Sequence, residues 1–121
     1  MRSPPLILLL VLVLLTHSML AQSSERVALV IGNASYQRAP DLANPVNDAR
    51  AMAKRLSQLG FKVTTLEDAT RSQMEDAIAR FEGQLGAGQV GLFYYAGHGI
   101  QVRERNYLVP VDAEMRSERR A

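Results

Sequence analysis

The chain has 121 residues, which supports one domain at most. Its 14 basic and 12 acidic side chains leave a net charge of +2, too small to make an electrostatic case for a nucleic-acid partner. It has no cysteine, which excludes a disulfide, a thiol nucleophile and a cysteine-ligated metal from these residues. It has only two histidines, a poor basis for a zinc site, so no metal or cofactor is expected.

Residues 1–21 read as a secretory signal. Arg2 precedes an unbroken apolar run from Leu6 to Leu15, and Thr16 to Ala21 supply the polar, small-residue close. The run is too short to span a bilayer. Cleavage is expected after Ala21, with Ser23 fitting nearly as well, so the mature protein is exported, periplasmic or secreted. Residues 22–25 then form a linker.

Val27 to Ile31 is a continuous apolar run of strand length that Gly32 ends, and a loop from Asn33 to Leu42 follows. Asn44 offers an N-cap and Pro45 a first helical position. Val46, Ala49, Met52, Ala53, Leu56 and Leu59 recur at spacings of three and four, which predicts a helix with one apolar stripe and Gly60 as its stop. Phe61, Val63 and Leu66 mark a second, more polar strand suited to a sheet edge. Thr70 with Gln73 predicts a capping box, and Met74, Ala77, Ile78, Phe81 and Leu85 predict the stripe of a second helix that Gly83, Gly86 and Gly88 end.

Val90 to Ala96 is another unalternating apolar run, read as a strand buried on both faces. The stretch from Val102 to Arg105 reads as a charged turn, and Tyr107 to Val109 as a short extended piece. The arginines from Arg103 onward alternate with Glu104, Asp112, Glu114 and Glu118, the pattern of a solvated surface; residues 116–121 read as a frayed tail. Strand, helix, strand, helix, strand with right-handed crossovers gives an open α/β unit with a mainly parallel sheet in the order 2-1-3. The loops after Gly32 and Ala96 then line one crevice and bring Asn33 within reach of His98.

His98 is the one side chain in that crevice able to titrate near neutral pH. Gly97 and Gly99 permit close approach of another chain, and the Gly99 amide can face a developing oxyanion. Asp48, in the first turn of the first helix, either interacts with the helix dipole or faces the crevice to bind a basic group. Receiver chemistry fails, because Gly32, Asn33, Gly97 and His98 stand where acids are needed. A phosphate-binding loop fails because no glycine-rich run precedes Lys and Ser or Thr. No nucleophile elbow is found.

RVALVIGNASY (26–36), NPVNDARAM (44–52), LGFKVT (59–64), YYAGHG (94–99) and YLVPVD (107–112) resemble, in this order and spacing, the large-subunit half of bacterial caspase-like peptidases related to metacaspases. The resemblance covers residues 26–115. It implies a caspase-haemoglobinase fold, an open, mainly parallel sheet with flanking helices, and a cysteine endopeptidase acting on peptide or protein through a Cys-His dyad. His98 matches the dyad histidine and the Gly99 amide an oxyanion donor. Asp48 matches an acid that favours Arg or Lys before the scissile bond, and Asn33 and Ala96 join it as expected substrate-binding positions. Ala96 replaces the serine of many metacaspases.

The family's nucleophilic cysteine follows the next strand, beyond Ala121. The expectation is therefore a fold truncated after its third main strand, inactive alone. It is expected to self-associate through an exposed strand edge or to need a complementing C-terminal half. The alternative is a pseudo-protease that binds peptide or protein. The acidic insertion that holds calcium in metacaspases is reduced to Val102–Arg105, so calcium is not expected.

Overall fold

The computed structural model describes residues 25–114; the signal segment, both cleavage positions and the tail at 116–121 lie outside the described residues. Its core is built around one strand, β1 (Arg26–Gly32), in which every residue after Arg26 is buried. Parallel neighbours lie on either side. β2 (Phe61–Glu67) pairs with it from Arg26↔Phe61 to Gly32↔Glu67, and β3 (Val90–Ala96) from Arg26↔Val90 to Gly32↔Ala96, giving the expected order β2-β1-β3.

The helices α1 (Pro45–Gln58) and α2 (Arg71–Gln84) cover opposite faces of this sheet. Successive side chains of a strand point to opposite faces, so β1 feeds both layers. Ala28 and Val30 pack with Ala49 and Leu56 of α1. Leu29 and Ile31 pack with Ala69 and with Met74 of α2. An unalternating apolar sequence is what a strand buried on both faces requires.

β3 has a similar sequence but not that environment. Among the described residues it pairs with β1 alone, and Val90 and Phe93 are 48% and 42% exposed. The expectation of two-sided burial is corrected accordingly: unbroken apolarity marks β1 and β3 alike, and only the number of neighbours separates them. Among the described residues β2 lies at an edge of the sheet, as its polarity predicts.

The helix boundaries follow local chemistry with one exception. Pro45 opens α1, but Asn44 makes no side-chain capping bond because its own backbone is helical (φ −106°, ψ −19°) where a cap residue should be extended. Gly60, at φ +86°, stops the chain after α1, and Leu59 falls outside the stripe and is exposed. The capping box of α2 is complete: Gln73 N donates to Thr70 Oγ1 at 3.3 Å and Thr70 N to Gln73 Oε1 at 2.9 Å. Gly83 lies inside the last turn of α2 instead of ending it.

The segment after His98 forms an antiparallel hairpin, β4 (Gly99–Val102) and β5 (Arg105–Leu108), closed by Arg103 and Glu104 at φ +49° and +64°. A two-residue turn of this hand normally carries Asn-Gly, which is why the sequence predicts a turn there but no β4. A third apolar cluster, Tyr36, Val109 and Val111, seats the loop after β1 against the chain leaving the hairpin.

Gly32 sets how closely α1 approaches the strand ends. A Cβ there would lie 2.5 Å from the Pro45 carbonyl oxygen and 2.7 Å from Ala49 Cβ. Gly32→Ala is expected to lower the stability of the chain by about 2 kcal/mol in urea denaturation, the cost of overpacking a helix against a strand.

Candidate functional site

Asn33 continues the sheet by one rung, its N–H donating to Ala96 O at 2.8 Å. Its side chain is completely buried and fully used: Oδ1 accepts Ala69 N–H at 2.8 Å, while Nδ2 donates to Val109 O at 3.2 Å and to Met74 Sδ at 3.6 Å. Asn33 is thus a tie between three segments, since a buried carboxamide must satisfy its own donors and acceptor inside the protein.

The loop beyond it is shaped by a second polar residue. Asp68, in the left-handed region at φ +50°, donates its N–H to Gly32 O at 2.9 Å. Its carboxylate Oδ1 accepts the Ala34 and Ser35 N–H groups, both at 2.9 Å. Tyr36 N donates to Asp41 Oδ1 at 3.1 Å, Gln37 N to Val111 O at 2.8 Å and Leu42 N to Ala34 O at 2.9 Å. An Arg38–Glu114 ion pair closes the outside.

This folded loop presents the Pro40 carbonyl to His98. The imidazole Nε2 lies 2.7 Å from Pro40 O, and the ring packs beside Tyr36 with centroids 4.6 Å apart at 55°. A carbonyl oxygen only accepts, so Nε2 carries the proton and the lone pair is on Nδ1. The ring is oriented by a backbone group and needs no carboxylate.

The backbone of His98 is held as firmly as its ring. His98 N donates to Tyr36 Oη at 2.8 Å, and His98 O accepts from Tyr95 Oη at 2.6 Å and Val109 N at 3.0 Å. That last bond makes His98 and Val109 a hydrogen-bonded pair in line with the hairpin register, in which Gly99 faces Leu108. Antiparallel pairs alternate, so Gly99↔Leu108 is a non-hydrogen-bonded pair and the Gly99 N–H points away from β5. It is an exposed amide directed outward beside an oriented imidazole.

Ala96 is half-buried, with its carbonyl taken by Asn33 N. Asp48 is exposed in the first turn of α1, at the strand end where Pro45 abuts Gly32. Two grooves flank α2, one of about 470 Å³ against β2 and one of about 670 Å³ against β5 and Pro110; none of His98, Gly99, Asp48 or Asn33 lines either. Among the described residues, no three His, Asp or Glu side chains converge as a metal site requires. Sequence reasoning missed Tyr36, Pro40, Asp68 and Tyr95 as parts of the site. The two phenols on an otherwise apolar β3, Tyr94 and Tyr95, were the signal available, since a buried phenol needs a partner.

The caspase domain family matches residues 25–119. Mucosa-associated lymphoid tissue lymphoma translocation protein 1 of Homo sapiens is 42% identical over 91 residues, 75% of this chain and 11% of that protein. Its homolog in Mus musculus is 43% identical over 91 residues, again 75% of this chain and 11% of that protein. The chain therefore aligns with about a tenth of the length of these curated relatives.

Nitrogen-15 correlation spectra of the imidazole are expected to show the neutral form of His98 as the Nε2–H tautomer. A mixed tautomer, as in free histidine, would show that the Pro40 bond does not form in solution.

Proposed function

This chain belongs to the caspase-domain family, and from that premise we propose that its residues supply the general base and one oxyanion donor of a cysteine endopeptidase. The observation that carries the reading is the His98 imidazole held at 2.7 Å by Pro40 O, with the Gly99 amide turned outward beside it. With Nε2–H fixed on the carbonyl, Nδ1 is the nitrogen left to take the proton of a thiol. The thiolate attacks the scissile carbonyl carbon, the oxyanion is received by the Gly99 N–H, and the proton on Nδ1 passes to the leaving amine. Water then hydrolyses the acyl-enzyme with His98 again as base.

These 121 residues contain no cysteine, so the thiol has to come from outside them. The layout of Arg2, Leu6–Leu15 and Ala21 supports an exported protein, periplasmic or secreted. Asp48 supports a metacaspase-like preference for Arg or Lys before the scissile bond: its carboxylate is exposed in the first turn of α1, where a basic side chain can reach it.

A second reading rests on the edge of β3. Val90 and Phe93 are exposed on a strand with one neighbour among the described residues, which suits addition of a strand from a partner or a second copy. The chain is then a peptide- or protein-binding pseudo-protease.

Two experiments separate these. Fluorogenic Arg, Lys and Asp peptides are expected to be cleaved only when a C-terminal segment carrying the family cysteine is added. His98→Ala then lowers activity by about a thousandfold, and Asp48→Asn erodes the preference for Arg and Lys by about tenfold. No cleavage by a folded mixture would overturn the peptidase reading. In sedimentation velocity the chain alone is expected to self-associate, and Phe93→Lys to reduce this; a monodisperse monomer would count against the edge as a docking site.

A further inference from the structure

Two phenols and the backbone N–H and C=O of one residue, His98, form a closed hydrogen-bond ring whose direction is fixed by counting protons. Tyr36 Oη lies 2.8 Å from His98 N and 3.2 Å from Tyr95 Oη. Tyr95 Oη lies 2.6 Å from His98 O and 3.0 Å from Val109 O. The His98 N–H can only donate, so Tyr36 Oη accepts there. The carbonyls of His98 and Val109 can only accept, so the single Tyr95 proton goes to them and not to Tyr36. Tyr36 therefore gives its proton to Tyr95, and the ring reads His98 N–H to Tyr36, Tyr36 to Tyr95, Tyr95 to His98 C=O.

The carbonyl at the end of this ring belongs to the same planar unit as the Gly99 N–H. In a trans peptide these two groups point in opposite directions, so whatever fixes the His98 oxygen fixes the Gly99 hydrogen. We propose that Tyr95, with Tyr36 behind it, is a positioning residue that aims and polarises the Gly99 amide as an oxyanion donor. The catalytic part of this assignment rests on the peptidase reading above; the geometric part does not. Hydrogen bonds received by a carbonyl strengthen the donor at the other end of its peptide, so the ring both orients and sharpens that N–H.

Two independent features agree. A Cβ on Gly97 would lie 2.6 Å from Tyr95 Oη and 2.7 Å from Tyr36 Oη, so the first glycine of the Gly-His-Gly stretch is what lets both phenols close over the backbone. Burial raises the pKa of the Tyr95 phenol above its ordinary value of 10.0, which keeps it a proton donor across the neutral range. Val109, whose carbonyl also accepts from Asn33, links the ring to the buried carboxamide.

The test uses the whole 121-residue chain. Residual dipolar couplings report the direction of each N–H vector, and in Tyr95→Phe the Gly99 coupling and the His98 carbonyl carbon shift are both expected to move, while the couplings of β1 and α1 stay as in the wild type. Unchanged Gly99 and His98 signals in a folded Tyr95→Phe chain would overturn the proposal. Tyr36→Phe keeps the aromatic ring against His98 and removes the hydroxyl that accepts from His98 N and donates to Tyr95; it is expected to speed exchange of the His98 amide about tenfold, the loss of the one hydrogen bond that amide makes. Should neither variant fold, the wild-type His98 amide decides: protection supports the ring, and exchange at the rate of an open peptide refutes it.

In the cysteine-complemented mixture, Tyr95→Phe is expected to lower kcat about tenfold, with KM and the pH profile unchanged. This is less than the 10²- to 10³-fold cost of deleting an oxyanion donor, because the Val109 bond remains. An unaltered kcat would overturn the catalytic part. Inactivity of the wild-type mixture would instead count against the peptidase reading, leaving the dipolar couplings to decide the positioning.

Discussion

The buried carboxamide of Asn33 is the constraint on which the rest of the structure depends. Its oxygen holds the turn into α2 through Ala69, its nitrogen holds the strand leaving the hairpin through Val109, and its backbone extends the β1–β3 ladder to Ala96. Three segments far apart in sequence meet on one residue whose side chain water does not reach. A buried amide left without partners costs roughly 1–3 kcal/mol, so these segments are held together by the cost of any alternative. Among the described residues no buried side-chain nitrogen or oxygen lacks a partner.

From that tie the site is assembled mostly from main chain. Pro40 contributes a carbonyl, His98 a peptide as well as a ring, and Gly99 an amide. The side chains that matter around them, Asp68, Tyr36 and Tyr95, act by holding backbone groups in place. Backbone dipoles fixed in advance need no reorganisation when charge develops, the condition under which a few hydrogen bonds can contribute most to a reaction. A histidine oriented by a carbonyl also keeps a defined tautomer.

The sheet gives the site its position and its exposure. β1 is covered on both faces and both edges, whereas β3, from which His98 is carried, has one neighbour among the described residues and shows Val90 and Phe93 to solvent. The Arg50–Glu67 pair, bidentate at 2.7 Å, pins α1 to the end of β2 and holds the Glu67 carboxyl below its ordinary range; being exposed, it fixes register more than it stabilises. The hairpin after Gly99 is closed by two non-glycine residues in the left-handed region, a conformation that costs roughly 1–2 kcal/mol per residue.

The order of the first five elements, strand, helix, strand, helix, strand, was determined by the sequence alone. Apolar spacing within fourteen residues, a proline at a helix start, the Thr70–Gln73 box and the glycine at position 60 act over one or two turns, where local chemistry has no competitor. The sequence likewise singled out His98 and Gly99, because glycines around an imidazole at a strand end are a local signal. Tertiary structure decided everything that depends on distant partners: that β1 and not β3 is enclosed, that Asn33 is spent inside the fold, that Asn44 does not cap, and that Pro40, Tyr36 and Tyr95 converge on His98. Hydrogen-bond partners 36, 58 or 76 residues apart leave no periodic trace along the chain, since what selects them is the cost of burying a polar group unpaired.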